Sequence, residues 1–141
     1  MSRLMRVKNQ NGVAAVEFAL ILPILIVLIL GIVEFSIMLY DKAVLTNASR
    51  EGARAGIVAQ TPRVTQPEIK AVVDNYCKTY LITFKAGIVL PATTVTWEGF
   101  NFGDDLSVTV TYDYTFLALP NFIAAITGVK TLTATTVMRM E

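Results

Sequence analysis

Glu17 is the residue whose type and position most need a chemical reason. It is the only charged group between Lys8 and Glu34, and 16 consecutive uncharged residues, Phe18 to Val33, follow it directly. A carboxylate in the middle of a membrane helix costs about 2.5–3.5 kcal/mol on insertion scales. A positive partner offsets that cost. If the chain is cut after Gly12, Val13 gains a free amine, and Val13 and Glu17 then stand four residues apart on one helix face. The positive end of the helix dipole would add to the pairing. The amine of a neighbouring subunit is an equivalent partner. A third reading has Glu17 snorkelling to the headgroups from within about two turns of the cytoplasmic end.

The remaining candidates for chemistry are few. The chain has no histidine, which removes the commonest general base and transition-metal ligand and every Ser/His/Asp or Cys/His arrangement. The single cysteine, Cys77, excludes an intrachain disulfide and a Cys-rich metal site. It falls on an apolar helix face and reads as a buried core thiol. Asp104 and Asp105 sit in a turn. Calcium needs about six or more oxygen ligands, and the neighbouring residues offer few, so turn chemistry is the expected role. Asn47-Ala48-Ser49 matches a glycosylation triplet on a predicted helix and reads as chance. No glycine-rich phosphate loop occurs. Net charge is +1, with no basic–aromatic interleaving, so nucleic acid is not an expected partner. No enzyme activity, cofactor or metal is expected.

The elements that must position Glu17 follow from the distribution of apolar residues. The chain is 54% apolar, above the usual share of about 45–50%. The excess is concentrated between Val13 and Tyr40, and the 141 residues allow one further small domain. The 28 residues from Val13 to Tyr40 would extend about 42 Å as a helix, against a hydrocarbon core of about 30 Å. A secretory signal is the less suitable reading, because its apolar core is shorter, about 7–15 residues, with an A-x-A site close behind. Here the first such site, Ala53-Arg54-Ala55, lies well past the apolar run. An unprocessed membrane anchor is the other alternative. Arg3, Arg6 and Lys8 precede the span without any acid nearby and favour a cytoplasmic N-terminus, although Lys42, Arg50 and Arg54 follow it.

Pro23 lies inside the span, where it removes a helical hydrogen bond and tends to kink. Neighbouring helices can satisfy the freed carbonyl. Glu34 falls about 32 Å along the helix from Val13 and is expected at the far interface, where an acid is cheap. Beyond the span, Val44, Ala48, Gly52 and Gly56 recur every four residues. Such a small-residue stripe lets a second helix or a sheet approach closely. The helix is therefore expected to continue to about Ala59, although a break near Asp41 would also fit the pattern.

These residues carry a family resemblance. A basic leader ending in Gly12, an apolar helix from Val13 and an acid at its fifth position resemble type IV pilins and pseudopilins. Three runs in series resemble the TadE-like proteins of the tight-adherence (Flp) system. They are Val16-Glu17-Phe18-Ala19-Leu20-Ile21-Leu22-Pro23, then Gly31-Ile32-Val33-Glu34-Phe35, then Leu45-Thr46-Asn47-Ala48-Ser49-Arg50-Glu51-Gly52-Ala53-Arg54. The resemblance implies cleavage between Gly12 and Val13 by a prepilin peptidase and a docking role for Glu17. It also implies partners: a TadF-like minor pilin, a short Flp major pilin, an inner-membrane assembly platform and membrane lipid. Many type IV pilins begin with phenylalanine where this chain has Val13, a difference that bears on methylation of the first residue. Major pilins of this kind are little more than the helix, so a chain with a folded domain points to a minor pilin or pseudopilin in the bacterial inner membrane. Two alternatives stay open: a tethered extracytoplasmic binding domain that never enters a filament, and a pseudopilin of type II secretion.

The expected fold is α+β. Residues 1–12 form the leader, 13–59 the long transmembrane and assembly helix, and 60–141 a small extracytoplasmic domain. Thr65-Gln66-Pro67-Glu68 reads as a capping box. Ile69, Val72, Val73, Tyr76, Cys77, Tyr80 and Leu81 then make one apolar helix face, with Gly87 as its stop. Thr93 to Glu98 reads as a strand, and Gly99 to Asp105 as a turn. Leu106 to Phe116 alternates with period two. A short helix over Pro120–Ile126, closed by Gly128, and a Thr-rich strand from Lys130 to Met140 complete a three-stranded antiparallel sheet packed on the helices.

Overall fold

A computed structural model describes residues 10–83, 89–116 and 130–141. The leader residues Arg3, Arg6 and Lys8, the helix stop at Gly87 and the short helix over 120–126 with Gly128 lie outside the described residues. The order of elements is α1 (Gln10–Ile57), α2 (Gln66–Tyr80), β1 (Ala92–Trp97), β2 (Asp105–Tyr114) and β3 (Lys130–Arg139). The fold is α+β, as the periodicities indicate.

The first helix, α1, runs unbroken for 48 residues, about 72 Å, through both Pro23 and Asp41. The break considered near Asp41 does not occur. The helix already begins at Gln10, so its first turn crosses the Gly12–Val13 bond. Its last turn carries Arg54, which complements the negative end of the helix dipole.

The second helix starts where the capping residues place it. The Glu68 carboxylate accepts the Thr65 backbone N–H at 2.7 Å and the Thr65 hydroxyl at 2.8 Å. These bonds, the backbone one first, hold the Glu68 carboxyl below its usual range. The helix stops at Tyr80, because Leu81 takes an extended conformation while its N–H still bonds Cys77 O at 2.9 Å. Its buried face is narrower than the pattern suggested. Ile69, Val73 and Cys77 are buried, but Tyr80 is 49% exposed and lies against Tyr76 with ring centroids 4.7 Å apart.

The three strands form one antiparallel sheet in the order β1-β2-β3. Leu106 opposes Trp97 on one side and Met138 on the other, and the β2–β3 pairing extends from Asp105↔Arg139 to Tyr114↔Lys130. With side chains alternating between faces, β2 buries Leu106, Val108, Val110, Tyr112 and Tyr114. The opposite face is rich in hydroxyls. Thr109 and Thr135 touch across the strands at 3.0 Å, and Thr131 donates to Asp113 Oδ1 at 2.9 Å. The core joins the buried face of the sheet to α2 and to the C-terminal half of α1, where Leu45, Ala48 and Ala53 are fully buried.

Candidate assembly surface

Two surfaces of α1 differ sharply. From Gly12 to Val33 the helix is exposed, with only Leu22, Leu30 and Gly31 partly covered. Val13 and Phe18 are each 62% exposed, and Glu17 is exposed between them. This stretch belongs to one helix that is long and apolar enough to cross a membrane, and none of its most apolar window is buried in the fold. It therefore offers a face to lipid or to other apolar helices, with one acid near its start. Pro23 sits on this exposed stretch. As proline it gives the Ala19 carbonyl no partner. A Cβ added at Gly31 would meet nothing within 4 Å among the described residues.

The second surface begins at Glu34. This acid, placed near the far interface by its distance along the helix, is 1% exposed and accepts the Tyr114 hydroxyl at Oε1 over 2.6 Å. At this point the domain has already closed over α1. Burial, then the bond to Glu34, push the Tyr114 phenol well above its ordinary range. Asp41, seven residues further on, is 0% exposed, and its Oδ1 accepts the Ile82 N–H at 3.0 Å. Sequence reasoning passed over both acids as buried groups. A signal was present, because Glu34, Asp41, Leu45, Ala48, Gly52 and Gly56 fall at successive steps of seven, four, three, four and four. Such steps keep all six on one face.

Ala48, Gly52 and Gly56 line the contact between α1 and the domain. Ala48 is fully buried. A Cβ on Gly52 would lie 2.6 Å from Val73 Cγ2, and one on Gly56 would lie 2.5 Å from Leu106 Cδ2 and 2.7 Å from Ile69 Cδ1. The stripe thus admits α2 and β2 of the same chain. Lys42 Nζ donates to the Thr133 carbonyl, and Ser49 Oγ meets Thr136 Oγ1 at 2.7 Å, which ties the same segment to β3.

Cys77 is buried in this core and unpaired, and burial, followed by the charges of Asp74 and Asp41, pushes its thiol up to about 11. A thiol so raised is a poor nucleophile at neutral pH. Asp104 serves its turn: its Oδ2 accepts the Asn101 N–H at 2.8 Å. Asp105 lies 3.6 Å from the exposed Arg139. Among the described residues no group of three or more His, Cys, Asp or Glu side chains could hold a metal ion.

Comparison with known proteins bears on both of these surfaces. Residues 12–54 match the family model of the TadE-like protein. Over that segment the chain is similar to the TadE-like family. The match begins at Gly12 and takes in Glu17, Pro23, Glu34, Asp41, Ala48 and Gly52, and it ends before Gly56, α2 and the sheet. TadE-like proteins are a structural family associated with Tad pili, and other pilus components are the corresponding class of partners. No curated protein and no solved structure matches the chain.

Proposed function

We propose that this TadE-like chain is a minor pilin or pseudopilin subunit of a Tad/Flp-type pilus and works by docking, not catalysis. The observation that carries the reading is the exposed apolar half of α1 with Glu17 at its head, in the segment that matches the family. In this reading a prepilin peptidase removes residues 1–12, cutting between Gly12 and Val13. The new Val13 amine, on the same subunit or a neighbour, pairs with Glu17. The span then sits in the inner membrane with its N-terminus cytoplasmic, and the domain past Ala59 stands on the other side.

Assembly transfers α1 from lipid to a bundle of like helices, with a TadF-like minor pilin and a short Flp pilin as neighbours. Lipid tails and apolar helices are similar solvents for Leu and Ile, so the transfer changes little for most of the surface. Glu17 is the exception, because a pairing amine in a dry bundle is worth more than one at a hydrated headgroup. The acid therefore sets the register of docking. The freed Ala19 carbonyl next to Pro23 lets the helix bend as it packs.

One observation favours the competing reading of a tethered domain that never leaves the membrane. The first turn of α1 runs through the Gly12–Val13 bond, so a peptidase must unwind that turn to reach it. Shearing filaments from cells distinguishes the two. The proposal expects the chain in the sheared filament fraction together with the major pilin. Its complete retention with the membrane would support the tether.

A further inference from the structure

Asp41 stands out among the buried groups because half of its carboxylate has no partner. It is 0% exposed; Oδ1 accepts the Ile82 N–H, while Oδ2 is buried and meets no hydrogen-bond donor among the described residues. It lies past the exposed apolar stretch of α1, in the joint where α1, α2 and β2 meet. The titratable groups that face it come from all three. Among the described residues, Cys77 on α2 and Tyr112 and Tyr114 on β2 sense its charge, Glu34 on α1 shares Tyr114 with it, and Asp74 on α2 shares Cys77. None of these is a cation. Asp74 itself has a buried Oδ1 that meets no donor among the described residues. Lys42, the next residue on α1, turns away to the Thr133 carbonyl.

We infer that Asp41 is a proton-operated latch on this joint: the joint is tight when Asp41 is protonated and opens more readily around Ile82 and Cys77 when Asp41 is ionised. Desolvation disfavours the charged form of a buried carboxyl. Protonation removes that penalty in place, whereas opening removes it by letting water reach Oδ2. Burial raises the Asp41 carboxyl above its usual range, and the Ile82 N–H opposes this only in part. The sign follows from linkage. A carboxyl raised in the closed joint contributes stability that is complete below its ordinary range and is lost as the pH rises through the raised value. Acid locks the joint and neutral pH loosens it. The inference concerns the joint alone and holds whether or not the chain enters a filament.

The chain has one cysteine, and it lies in this joint, so thiol reaction reports opening directly. The full-length protein in detergent micelles is treated with dithiodipyridine, which reacts with thiols in acid as well as at neutral pH. Protection is the rate for the same chain unfolded divided by the rate for the folded protein, taken at each pH. The expected result is a several-fold higher protection at about pH 4.5 than at about pH 7.5. Asp41→Asn should give protection that does not change with pH, while Asp74→Asn keeps the wild-type dependence. Equal protection at both pH values in the wild type overturns the inference. So does an unchanged dependence in Asp41→Asn, or its loss in Asp74→Asn. Should Asp41→Asn not fold, carbon NMR of the wild-type Asp41 carboxyl decides the matter. A titration midpoint above the ordinary carboxylate range supports the latch, and one within or below that range overturns it.

Discussion

Glu17 and Glu34 are both acids in or beside an apolar helix, yet they meet opposite environments. Glu17 is exposed on the face that lipid or another subunit must cover, whereas Glu34 is closed off by the chain's own domain. Their loss should therefore act on different properties. Glu17→Ala removes a charge from a lipid-facing helix and should leave membrane insertion intact while abolishing recovery of the chain in sheared filaments. Normal recovery would dispose of the pairing argument. Tyr114→Phe removes a hydrogen bond to a buried carboxylate and should destabilise the domain by about 1.5–3 kcal/mol in denaturant titrations. A change near zero would mean that Glu34 is equally well satisfied without it. Residue type alone made Glu17 legible from the sequence. The burial of Glu34 was not, because the tyrosine that meets it is 80 positions away in the chain.

At the scale of elements, α1 is one helix with two tasks, and its glycines separate them. Gly52 is pressed against Val73, whereas a Cβ at Gly31 would meet no described atom within 4 Å. Gly52→Val should cost the domain about 1–3 kcal/mol through overpacking, seen as a lowered melting temperature in detergent. Gly31→Ala should leave that melting temperature unchanged. A destabilised Gly31→Ala would mean that α1 packs on the domain beyond the described contacts. The stripe of small residues was readable as a site of close approach, because period four survives whatever the partner. Its partner was not readable, since α2 and β2 arrive from later in the chain. The strands were equally plain, because β2 buries every second residue from Leu106 to Tyr114. Tyr80 misled the pattern: its position fits the apolar face of α2, but the helix ends there, and its ring rests on Tyr76 in the solvent.

For the molecule as a whole, the division between an exposed apolar half-helix and a helix-backed sheet agrees with a subunit that is handed from a bilayer to a filament. The small core explains why the domain uses half of α1 as a packing partner, since a sheet of three strands and one short helix buries little by itself. The family match stops within α1 and does not reach the sheet or its hydroxyl-rich face. The central claim concerns the start of that helix, and intact-mass measurement of the protein purified from its native membrane tests it most directly. The account predicts a mature chain beginning at Val13. A chain that still begins at Met1 or Ser2 would contradict it, because Glu17 would then have no amine four residues before it.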